Sequence, residues 1–278
     1  MPTASAPATS SPELAEAWAE LGLLTRALRE HLELLGASGA SGVQRTTVQT
    51  PDEPRPEATV AGASASESRQ SAPVAAEPRG TDLPGVARKL TLLDEEVRAC
   101  TRCALHQGRT QTVFSRGSGR SGICFVGEGP GADEDAQGYP FVGQAGQLLD
   151  RMIAAMGFDR EDVYVCNIVK CRPPKNRKPE LDEMSACVPY LHEQLTLIRP
   201  RVIIALGATA VQGLLGTSGG ITRLRGDWKL YRGEIDVMPT FHPAYLLRQP
   251  SAKRQVWEDL QAVLGRLGLP IPNASKSG

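Results

Sequence analysis

The chain has 278 residues, 41% of them hydrophobic and 5% aromatic, which is enough apolar material for one large domain or two small ones. No apolar run approaches the roughly 20 residues of a membrane span, and the amino terminus lacks the basic-then-apolar order of a signal peptide, so the expectation is a cytoplasmic protein with no membrane contact. Its 31 basic and 31 acidic residues cancel overall, but residues 1–84 carry only 6 of the former and 11 of the latter, which leaves 25 and 20 in residues 85–278, a net charge of +5 that permits an anionic partner.

Residues 1–12 are mostly Ala, Ser, Thr and Pro and are expected to be disordered. Leu14, Trp18, Leu21, Leu28, Leu32 and Leu35 then fall at helical spacing, with Ser11-Pro12 as a start and Gly36 as a stop. The spacing predicts one amphipathic helix over about 12–35, able to pair as a coiled coil, dock on a protein partner or lie on its own domain. Residues 37–83, rich in Ala, Ser, Pro, Gly and Glu, read as a disordered linker.

After Pro84 the composition becomes that of a folded domain, expected over 84–268, with a disordered tail at 269–278. A helix from Val86 to about Arg98 leads into Cys100 and Cys103. Short apolar runs recur at 123–127, 163–167, 201–207 and 235–240, and helical patterns over Gly146–Met156 and Leu181–Ile198 separate the first three. This alternation predicts a three-layer α/β/α domain around a central four-stranded parallel sheet. Gly127, Asn167, Gly207 and His242 each stand at or just past the end of an apolar run, so they should meet at one sheet edge, where ligands bind.

Three constellations carry chemistry. Cys100-x2-Cys103, Cys171 and Cys187 can surround one metal centre, and spacing alone does not separate zinc from an iron–sulfur cluster. Cys124 and Cys166, inside apolar strands, read as ordinary buried thiols. The stretch 127–150 is glycine-rich, and Gly127 and Gly129 would let the backbone approach a ligand closely. It lacks P-loop and dinucleotide spacing, and its four acids from Glu128 to Asp135 would repel a pyrophosphate. Phe141 in that stretch could offer a ring face to a planar ligand. In the third, His242 is followed by Pro243 at a helix start, which aims an imidazole into the crevice where an oxyanion could form. Leu246 and Leu247, beside Arg248, would suit insertion into a base stack if they protrude, or form the first turn of a buried helix.

Taken together, GEGPGADED at 127–135, GYPFVGQAGQLLD at 138–150, NIVKCRPPKNRKP at 167–179, Cys187-x2-Tyr190-Leu191 and TFHPAYLLR at 240–248 resemble the family 4 uracil-DNA glycosylases, the iron–sulfur branch of their superfamily. The resemblance spans about residues 95–262. It implies that Cys100, Cys103, Cys171 and Cys187 hold a [4Fe–4S] cluster, with zinc as the alternative. It also implies that Phe141 stacks on a flipped uracil, that Asn167 reads its edge, that Glu134 excludes the methyl of thymine, and that His242 stabilises the departing base. Leu246 matches a minor-groove wedge. Lys170, Arg172, Lys175, Arg177 and Arg248 are the cations expected to contact DNA.

The implied activity is excision of uracil from single- or double-stranded DNA by a monomeric domain, with an abasic site left for base excision repair. Other branches place a water-positioning Asp where this chain has Gly129, so that role falls to backbone or to Glu128. The alternatives are a catalytically silent binder of uracil-containing or damaged DNA, and a relative that traps the abasic site covalently. The trapping branch has a histidine in a basic loop, and Lys170-Cys171-Arg172-Pro173-Pro174 has none. A third reading is a zinc-stabilised scaffold whose amino-terminal helix recruits partners.

Overall fold

The structure, a computed structural model, describes residues 79–272. The helix expected over 12–35, the linker as far as residue 78 and the tail from 273 onward lie outside the described residues. Five strands, β1 (Ile123–Gly127), β2 (Tyr164–Asn167), β3 (Val202–Leu206), β4 (Lys229–Tyr231) and β5 (Ile235–Thr240), form one sheet in the order β2-β1-β3-β5-β4. The four strands read from the sequence are the parallel ones, and β4 pairs antiparallel with β5 at an edge. The expected count of four is therefore corrected to five. Three residues are too few to show a period of two. Arg232 and Gly233, with φ of 50° and 74°, lie in the three-residue connection between the paired Tyr231 and Ile235.

The helices are α1 (Val86–Ala99), α2 (Ala132–Gln137), α3 (Gln144–Ala155), α4 (Leu181–Ile198), α5 (Ala208–Leu215), α6 (Ile221–Leu224), α7 (Pro243–Arg248) and α8 (Lys253–Arg266). Side chains of β1 alternate: Cys124 and Val126 face a core with α1, α4 and α5, while Ile123 and Phe125 face one with α3 and α8. Strands buried on both faces need no polar alternation, which is why they read as continuous apolar runs. In α8, Val256, Leu260, Val263 and Leu264 are buried at helical spacing, a pattern that attention to the strands passes over.

Register puts the functional residues level with one another. Gly127 pairs with Asn167, and Leu206 with Thr240, so the carboxyl ends of the four parallel strands share one edge. The free edge of β2 is covered by residues 113–118. Val113 N–H donates to Lys170 C=O at 2.8 Å, and Arg116 exchanges backbone bonds with Val165 at 3.0 and 2.9 Å. Gly117, at φ 78°, permits this approach: a Cβ there would lie 1.9 Å from the Val163 oxygen.

Candidate active site and cysteine cavity

At that sheet edge lies a cavity of about 700 Å³ whose walls include Glu128, Gly129, Glu134, Phe141, Asn167, Arg177, His242 and Arg248. Gly127 packs directly against two of these walls: a Cβ there would stand 2.4 Å from Asn167 Oδ1 and 2.6 Å from Phe141 Cζ. Asn167 is 2% exposed, and its Oδ1 has no hydrogen-bond partner among the described residues. A buried acceptor of that kind costs stability unless a ligand completes it. Glu128 is half-buried, and its carbonyl accepts from Val169 N–H at 3.2 Å.

Phe141 is buried with φ at 57°, an uncommon backbone region for a bulky residue. Glu134 holds the turn that follows: its Oε1 accepts from Val142 and Gly143 N–H at 3.1 and 3.2 Å, and its Oε2 from Gly131 N–H at 3.0 Å. The Phe141 ring lies against that of His242, with centroids 5.6 Å apart and planes 29° apart. His242 caps α7 by accepting the Ala244 N–H at Nδ1, 3.1 Å away. In the neutral ring the proton is thereby assigned to Nε2. Burial first, and then the nearby Arg248 charge, push the imidazole down to about 4, so it is neutral at physiological pH.

Two residues expected to touch DNA do not face outward. Lys170 is 1% exposed, and its Nζ donates to the Asn167 carbonyl at 2.7 Å. Leu246 is 1% exposed in the core shared with α3, and Leu247 beside it is 42% exposed. Both expectations are corrected, since a lysine or leucine in a loop motif carries no local signal of which way it turns. Arg172 is half-buried and donates to Asn176 Oδ1 at 2.8 Å, while Lys175 and Arg248 are exposed. Arg177 is exposed at the cavity rim and paired with Glu183 at 2.6 Å. Asn176, Thr209 and Tyr245 also line the cavity and went unread, Asn176 despite standing inside the basic loop.

Cys100 and Cys103 from the end of α1, Cys171 from the loop after β2 and Cys187 from α4 line a second cavity. Among the described residues, no three of His, Cys, Asp or Glu stand close enough to hold a single ion. Hydrogen bonds converge on two of the sulfurs: Lys170 N–H reaches Cys187 Sγ at 3.3 Å, and Arg109 Nη1 reaches Cys171 Sγ at 3.2 Å. Burial pushes the Cys187 thiol up to about 11. Cys124 and Cys166 lie fully buried in the strands, apart from this cavity.

A family model described as the uracil DNA glycosylase superfamily matches residues 114–261. The chain belongs to that superfamily. It is 47% identical to a type-4 uracil-DNA glycosylase of Thermotoga maritima over 175 residues, 62% of this chain and 91% of that protein. A type-4 uracil-DNA glycosylase of Sulfurisphaera tokodaii is 43% identical over 182 residues, 63% of this chain and 83% of that protein. The type-5 uracil-DNA glycosylase of Thermus thermophilus is 36% identical over 108 residues, covering 38% of this chain and 47% of that protein. Every residue named above at the sheet-edge cavity falls within the superfamily match, and Cys100 and Cys103 precede it.

Proposed function

We propose that this chain is a uracil-DNA glycosylase, which draws a uracil nucleotide out of DNA into the sheet-edge cavity and hydrolyses its N-glycosidic bond. The observation that carries this reading is the buried, unpartnered Asn167 Oδ1 in the cavity that Phe141 and a neutral His242 also line. Uracil presents O4 as acceptor and N3–H as donor, so one primary amide satisfies both through Nδ2 and Oδ1. Cytosine reverses both groups and would leave buried polar atoms unpaired, which gives strong rejection. Glu134, held by three backbone amides, is a rigid wall against a base carrying a C5 methyl.

Bond breaking leaves the electron pair of C1′–N1 on the departing base, and water adds to C1′ and releases a proton. His242 Nε2–H would donate to O2, where the negative charge of the uracil anion develops. Glu128 is the carboxylate at hand for the water. Glu128→Ala should therefore lose more rate than binding, as single-turnover kinetics against DNA affinity would show. Extrusion costs a few kcal/mol, less from a mispair or a single strand. Arg172, Lys175 and Arg248 would offset it through phosphates, with Leu247 and Tyr245 as the exposed apolar tip.

The four cysteines are the residues that would hold a [4Fe–4S] cluster, with zinc as the alternative. All face one cavity, and two accept the N–H bonds that thiolate ligands of a cluster commonly receive. Such a cluster would cross-link α1, α4 and the 171–178 loop and take no part in bond breaking. About four irons and four sulfides per purified chain, with visible absorption, is the expected result; a colourless zinc protein would refute it.

The test of function is incubation with an oligonucleotide containing one uracil, followed by alkali. Strand scission at the uracil supports excision, an uncut strand rules it out, and an alkali-stable protein–DNA adduct indicates trapping.

A further inference from the structure

We propose that Arg116, which no part of the reaction above uses, is a positioning residue that sets the spacing between the Phe141 ring and the Asn167 amide. The inference rests on the reading of those two residues as the stacking and base-reading walls. Arg116 is 7% exposed and belongs to the segment covering the edge of β2. Its backbone bonds both ways to Val165, two residues before Asn167. Its side chain crosses to the other wall, where Nε donates to the carbonyl of Pro140, the residue before Phe141, at 3.1 Å. Nη2 donates to Asp150 on α3 at 2.5 Å, and Asp150 is also bonded by Arg160 at 3.1 Å.

One side chain thus ties the β2 edge, the Phe141 turn and α3 together. A backbone held at positive φ persists only where its surroundings over-determine it. Here Arg116 grips the turn before Phe141 and Glu134 grips it after. Gly146 of α3 closes the third side, since a Cβ there would lie 1.9 Å from the Phe141 oxygen. The guanidinium is poorly served as a mere core group: its Nη1 is buried without a partner among the described residues. Its planar fork is the property in use, because a lysine ammonium offers no comparable rigid reach to two acceptors at once.

A double-mutant cycle on the full chain tests this, with single-turnover excision of uracil as the readout. Arg116→Lys should lower the rate about 30-fold, the scale of an ångström-level misplacement, while affinity for uracil-free DNA stays within about twofold. In a Phe141→Ala background the same change should cost less than about threefold, because the ring it positions is gone. Should Arg116→Lys not fold, Arg116→Met takes its place in the cycle. Asp150→Asn keeps the Pro140 bond, so it should lower the melting temperature yet leave the rate within about threefold. Equal losses in both backgrounds, or an Asp150→Asn loss matching that of Arg116→Lys, would overturn the proposal. An unmodified chain that excises no uracil would defeat the functional reading instead.

Discussion

Asn167 shows how much one residue can state about a ligand. Its amide is anchored through its backbone by β1 and by Lys170, and its side-chain oxygen is left for something absent from the protein. Asn167→Asp replaces the donor that uracil O4 needs with a second acceptor, which suits the exocyclic amine of cytosine. The uracil-over-cytosine preference should fall by at least about 100-fold, measured on matched oligonucleotides; an unaltered preference would remove Asn167 from base reading. Gly127→Ala drives a methyl into both Asn167 and Phe141, and excision should drop about 100-fold with the fold retained. The neutral His242 gives a pH signature. A depressed pKa means that protonation sets in only as pH falls toward about 4. The acid limb of kcat/KM should accordingly show no inflection near 6.5, the ordinary histidine value. These three residues were legible because each ends an apolar run. Lys170 and Leu246 were misread because burial is decided by what packs against them.

Elements carry the next layer. The loop leading from β5 into α7 holds His242, and a buried network ties it to α8. Thr240 Oγ1 donates to Asp259 Oδ2 at 2.6 Å, and Arg225 donates to both oxygens of that carboxylate at 2.6 and 3.1 Å. Asp259 is 3% exposed, so Asp259→Ala would strand Arg225 and the Thr240 hydroxyl together. Stability should fall by about 3–5 kcal/mol, read from urea unfolding. Helices α1, α3 and α4 were readable from period and composition, within two residues of their observed ends. The edge strand β4 was not, since its pairing with β5 rather than any pattern of its own makes it a strand.

At the scale of the molecule, the net positive charge of residues 85–278 is less informative than its placement. Arg177 is neutralised by Glu183, which leaves Arg172, Lys175 and Arg248 as the cations best placed for phosphates near the cavity. Three such contacts predict a slope of log affinity against log salt of about −3 on duplex DNA and about −2 on single strands. We propose residues 84–268 as the catalytic unit, so removal of residues 1–78 should leave excision of uracil from short DNA intact. What the sequence by itself determined is where the four parallel strands lie along the chain and which residues stand at their carboxyl ends, because apolar runs and their ends are local properties. Tertiary structure alone decided which of two adjacent leucines meets water, that Lys170 serves a backbone carbonyl, and that Arg116 joins two walls of the cavity. Those outcomes depend on how α7 docks on α3 and how residues 113–118 pair with β2, contacts between segments far apart in the chain that no local pattern encodes.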